Sequence, residues 1–130
     1  MISRAALCAV LLACACQAHS DAAGFGGPRT VWQLSALDGD PVTFTAELTF
    51  PQPGRVSGRA SCNRFSGDLR AAFPDFRVNR IVSTKRACPE LRTERWFIAA
   101  LGAADRATCD GDQLILSSES GPRLTFTRAE

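Results

Sequence analysis

Val42-Thr43-Phe44-Thr45-Ala46-Glu47-Leu48-Thr49-Phe50 decides the fold class. Phe44, Ala46, Leu48 and Phe50 fall on one face and Thr43, Thr45, Glu47 and Thr49 on the other, the period of a half-buried strand. Pro51-Gln52-Pro53-Gly54 stops it, and residues 55–60 return as a second strand with Val56 and Gly58 on one face. Upstream, Asp38-Gly39-Asp40-Pro41 reads as a turn that follows a short apolar strand, Val31-Trp32-Gln33-Leu34.

Downstream, residues 61–67 read as a loop and 68–73 as a strand that stops at Pro74. Residues 76–83 alternate until Val78 and then slip, which predicts a β-bulge. Residues 89–101 carry the single predicted helix. Pro89 suits its first position, Glu90 and Glu94 its early turns, Leu91, Phe97, Ile98 and Leu101 one apolar stripe, and Gly102 its stop. A meander closes the chain: a strand to Cys109, Asp110-Gly111 as a hairpin turn, residues 113–117, Gly121-Pro122, and residues 123–128. The expected fold is mainly β (α+β), a small curled antiparallel sheet or partly open barrel with one late α-helix packed on it.

Two segments carry a family likeness. Cys62-Asn63-Arg64-Phe65-Ser66-Gly67 resembles the Cys-Asn-x-aromatic-x-Gly loop of the META/HslJ domain family, and Ser83-Thr84-Lys85-Arg86-Ala87-Cys88 resembles its Ser-Thr-basic-x-x-Cys segment. Trp32-x-Leu34, Gly58 and Gly111-Asp112-x-Leu114-x-Leu116 stand where that family has them, so the likeness runs from about Val31 to Arg128. Arg86 departs from the apolar residue, often Met, that is usual there, and Cys109 from an aliphatic one. The resemblance implies a bacterial envelope or secreted protein linked to stress or antibiotic tolerance. It brings no reaction that can be carried over residue by residue.

Composition agrees with a folded domain: of 130 residues, 45% are apolar and 22% charged. The net charge of +2 is too small to imply a nucleic-acid partner. The charge is uneven, however, with ten basic residues against four acidic ones between Arg55 and Arg95. At the start, Arg4 precedes an apolar run from Ala5 to Ala13, too short for a membrane span of about 20 residues and typical of a secretory signal. Leu11-Leu12-Ala13-Cys14 resembles a lipobox, so Cys14 is the expected lipidation site; Cys16 is a weaker candidate, and ordinary cleavage after Ala15 or Ala22 the alternative. Residues 1–22 are thus assigned to a lipoprotein-type signal, 23–29 to a flexible tether and 30–130 to the domain. The location expected is the periplasmic side of the outer membrane, or the periplasm if the chain is not lipidated. The membrane is reached only through the anchor.

In an oxidising compartment Cys62 and Cys88, both at loop edges, are expected to form a disulfide; Cys62–Cys109 is the competing pairing, with Cys109 otherwise an inert thiol filling core space. The single histidine, His19, lies in the leader and tether region, and there is no tyrosine. The folded part therefore cannot build a Ser-His-Asp or Cys-His arrangement. Asp38-Gly39-Asp40 and Asp110-Gly111-Asp112 lack the ligand run of a calcium loop and read as turns. No enzyme, cofactor or metal is expected. Asn63, Ser66, Ser83 and Thr84 are expected to satisfy loop backbone groups, with Phe65 and Gly67 completing the family motif. Arg64, Lys85 and Arg86 form the candidate binding surface, for an acidic envelope protein or an anionic envelope polymer. The function expected is a non-enzymatic envelope accessory or binding module; the alternatives are a periplasmic inhibitor of a hydrolase or protease and a purely structural, stress-buffering domain.

Overall fold

The computed structural model describes residues 25–130 apart from 72, 111 and 130. The segment expected to be a signal, with Cys14, Cys16 and His19, lies outside the described residues. Nine strands form one antiparallel sheet: β1 (Val31–Leu37), β2 (Asp40–Pro41), β3 (Glu47–Thr49), β4 (Arg55–Arg59), β5 (Arg64–Leu69), β6 (Val78–Ser83), β7 (Arg106–Asp110), β8 (Gln113–Ser117) and β9 (Leu124–Ala129). The order is β6-β5-β4-β3-β1-β9-β8-β7, with β2 paired only to β1. The sheet curls until its two ends meet at one rim. There Asp75 bridges Arg106, the Phe76 amide donates to Asp105 O at 2.9 Å, and the Ala107 amide donates to Pro74 O at 2.7 Å. The single helix among the described residues, α1 (Leu91–Ala103), packs along β6, and its Phe97 ring meets Phe65 and Phe126 edge-on at 5.8 and 6.3 Å. The result is a half-barrel with a helix lodged in its open side.

Alternation along the strands chooses what is buried: Trp32, Leu48, Val56, Leu114, Leu116, Leu124 and Phe126 all point inward and are fully buried. The Trp32 indole N–H donates to Phe25 O at 2.8 Å, and the Arg128 guanidinium lies 5.3 Å over its ring. Truncating one such buried aromatic to alanine typically costs about 3–5 kcal/mol.

Several expectations are corrected. Residues 42–50 keep their alternation of burial, but only Glu47–Thr49 joins the ladder there. Between the pairs Ala36↔Pro41 and Gln33↔Glu47, the two residues 34–35 face the five residues 42–46, so the surplus loops out. The predicted loop at 61–67 is shorter, because β5 already begins at Arg64 and the Ala60 amide donates to Asn63 O across a tight turn. Gly67 is therefore mid-strand, where a Cβ would come within 2.6 Å of Val78 Cγ1. The helix starts two residues after Pro89, with Glu90 at its N-cap and no side-chain cap bond. Gly102 does not stop it, as the helix continues to Ala103.

The tether expected at 23–29 is also corrected in its described part. Phe25 is fully buried, stacked on Phe50 with ring centroids 4.4 Å apart. The expected bulge after Val78 is present: β5 passes from Ser66 to Asp68 while β6 passes from Val82 to Asn79, and Arg80 takes a left-handed φ of 53°. Asp38 and Gly39 both have positive φ, as a two-residue hairpin turn of type I′ requires.

Candidate functional site

Both family motifs meet at one end of the half-barrel. Cys62, in the β4–β5 turn, and Cys88, before α1, are joined by a disulfide with a Cα–Cα distance of 6.3 Å. The Glu90 carboxylate lies near the two sulfurs, but the sulfurs are bonded to each other, so the trio reads as a crosslink rather than a metal centre. Cys109 is not the inert core thiol expected: it is partly buried and already engaged as a disulfide cysteine.

Asn63 is the hub. Its side chain is buried and saturated: Oδ1 accepts from the Arg86 amide at 2.6 Å and the Thr84 hydroxyl at 2.9 Å, while Nδ2 donates to Glu94 Oε2 at 2.6 Å and Arg86 O at 3.2 Å. Thr84 Oγ1 in turn accepts from the Arg64 amide at 3.1 Å. Glu94, only 4% exposed, closes the network by accepting at Oε1 from the amides of Asn63 at 2.7 Å and Cys62 at 3.2 Å. A buried carboxylate must be compensated by donors, and here three donors from one turn do so. The crosslink and this network lock two loops, 60–64 and 83–88, into a single frame.

The frame organises two concavities. One, of about 610 Å³, runs between α1 and residues 83–87 and is lined by Leu91, Ile98, Ala99, Ser83, Lys85 and Arg95 among others. The other, of about 460 Å³, lies over the turn and is lined by Arg59, Ser61, Cys62, Arg64, Thr84 and Arg86. Of the proposed surface residues, Arg64 and Arg86 come together over the turn, whereas Lys85 belongs to the neighbouring groove, which Arg86 also borders. Phe65 and Gly67 are packing residues, and Ser83 pairs with Phe65 in the sheet.

Three residues escape the sequence reading. Glu94 has the position of an ordinary early-turn acid on its helix, yet it shares the spacing of Phe97, Ile98 and Leu101, the signal that it faces inward. Arg59 and Ser61 join the site because β5 starts at Arg64, which places Arg59 directly opposite Arg64.

These arrangements can be compared with known proteins. The family model described as META domain matches residues 28–130. Among solved structures, the chain is similar to a protein from Burkholderia xenovorans solved by NMR, with 27% identity, a TM-score of 0.63, and coverage of 77% of this chain and 81% of that one. A second NMR structure aligns at 24% identity and TM-score 0.61, over 77% and 89% of the two chains. A DUF4847 family protein from Bacteroides vulgatus aligns at 15% identity and TM-score 0.58, over 77% and 92%, which shows a shared fold. Among curated proteins, none matches. The family model spans every strand, the helix and both motifs whose side chains build the Asn63 frame, and on that match the chain belongs to the META domain family.

Proposed function

We propose that this META domain is a non-enzymatic binding module of the bacterial cell envelope, exported and held at the membrane through lipid on Cys14. Its ligand is an acidic envelope protein or anionic envelope polymer. The observation that carries this reading is a set of uncompensated cations on a rigid frame. Arg64 and Arg86 make no ion pair among the described residues, whereas on the same sheet Arg55 and Arg70 flank Asp68 at 3.5 and 3.2 Å. Fixed loops present charge without the ordering entropy that a mobile loop loses on binding.

Among the described residues, no helix is long and apolar enough to cross a membrane. In this reading a lipid chain makes the attachment, and intact mass of envelope-derived protein should show a start at Cys14 with added lipid. Replacing Arg64, Lys85 and Arg86 together with serine should lower capture of anionic envelope polymer roughly tenfold at low salt. All three side chains are exposed, so the melting temperature should stay within about 2 °C. Unaltered capture would sink the reading.

A further inference from the structure

The pocket over the β4–β5 turn concentrates positive charge in a way the fold does not require. Arg59 and Arg64 are directly opposed on adjacent strands, the last pair before the turn. Directly opposed side chains lie about 5 Å apart on one face, and like charges there are destabilising. Arg86 adds a third guanidinium, its backbone pinned on both sides by Asn63. None of the three makes an ion pair among the described residues. Glu47, opposite Arg59 on the other flank, accepts instead from Gln33 at 3.4 Å. In the same pocket Ser61 Oγ is buried and has no hydrogen-bond partner, a situation native structures seldom leave unresolved.

We infer that this pocket binds a phosphate group, an inference that rests on the binding-module reading and narrows its ligand. Three arginines and one serine line the same pocket. A phosphate has three or more oxygens and up to two negative charges, and can accept paired N–H donors from several arginines at once. A carboxylate, with two oxygens and one charge, leaves part of that set unused. Binding removes the Arg59–Arg64 repulsion and gives Ser61 its acceptor. The phosphate is either free or a lipid headgroup monoester; the chemistry of recognition is the same.

The test is a titration of the ¹⁵N-labelled full chain with inorganic phosphate at low ionic strength, with acetate as control. Expected are saturable amide shifts confined to residues 59–64 and 84–86, with acetate binding more weakly. Arg59→Ser should weaken phosphate about tenfold, the loss of one charge-assisted contact, with a melting temperature equal to or slightly above wild type because the opposed pair is relieved. Ser61→Ala should weaken it a few-fold. Lys85→Ser, outside this pocket, should change it less than about threefold. Shifts that do not saturate, that spread equally to Arg77 and Arg80, or that persist unchanged in Arg59→Ser overturn the inference. Polymer capture that depends on Arg64, Lys85 and Arg86 without any phosphate response overturns it alone and leaves the binding-module reading standing. Phosphate binding with unaltered polymer capture does the reverse. Vesicles containing phosphatidic acid that sediment the wild-type chain but not Arg59→Ser assign the phosphate to a lipid headgroup; phosphate binding without vesicle binding assigns it to the free ion.

Discussion

Replacing Glu94 should collapse the motif frame by an amount that can be worked from its hydrogen bonds. The carboxylate accepts from Cys62 N at 3.2 Å, Asn63 N at 2.7 Å and Asn63 Nδ2 at 2.6 Å. Glu94→Gln keeps the volume and one carbonyl oxygen, which can still serve the two backbone amides. Its new NH₂ then faces Asn63 Nδ2, donor against donor. Asn63 cannot relieve this by turning its amide over, because Oδ1 already holds the Arg86 amide and the Thr84 hydroxyl. One buried contact is lost, for about 2 kcal/mol. Glu94→Ala orphans all three donors, of which the Cys62 amide recovers some water, for about 4 kcal/mol. At roughly 5 °C per kcal/mol for a domain of this size, the melting temperature should fall by about 10 °C and about 20 °C respectively. Circular dichroism melts under non-reducing conditions, which keep the Cys62–Cys88 bond intact, are the assay. A Glu94→Gln variant that melts within about 2 °C of wild type would refute the assignment of Glu94 as keystone of the turn.

Three further predictions concern the scaffold. Cys62 and Cys88 are 26 residues apart, so on the chain-entropy model removing their bond by the double change to serine should cost about 3.5 kcal/mol, read as a lower denaturant midpoint in urea. Gly58→Ala would place a Cβ 2.0 Å from Glu47 O and 2.6 Å from Phe65 Cζ, and should destabilise by about 3 kcal/mol or more, since backbone must move. Gly102→Ala is the contrasting case: its Cβ meets only Ile81 Cδ1 at 3.6 Å, inside a helix, so it should raise stability by about 0.5–1 kcal/mol in the same melts.

Much of the fold was legible because burial alternates with a period of two whether or not a strand is fully paired. Val42–Phe50 shows both sides of that fact. Its inward face carries the expected burial, with Ala46, Leu48 and Phe50 buried, yet six of its nine residues lie outside the ladder. How many residues pair depends on the partner strand, and β1 offers only Leu34 and Ser35 opposite residues 42–46. The late start given to β5 had a similar origin. Cys-Asn-Arg is polar enough to read as loop, while a two-strand turn closed by the Ala60 amide leaves Arg64 already in register with Arg59. Gly24, Gly26, Gly27 and Pro28 give the surroundings of Phe25 the composition of a tether; its burial against Phe50 is a contact across 25 residues that no local pattern encodes.

By itself the sequence determined the class of the fold, the place of the helix, the bulge in β6 and the family motifs, because each follows from local periodicity, turn chemistry or a recognisable spacing; between Cys88 and Cys109 as the partner of Cys62, the folded chain chose Cys88. The tertiary structure alone decided what the motifs do. Asn63 and Glu94 lie 31 residues apart, and only curling of the sheet with α1 set in its opening brings the carboxylate under the turn that it satisfies. The hairpin sets Arg59 opposite Arg64, and the Asn63 hydrogen bonds bring the distant Arg86 into the same pocket, since charges apart in the chain acquire a common field only when strands and loops are folded side by side.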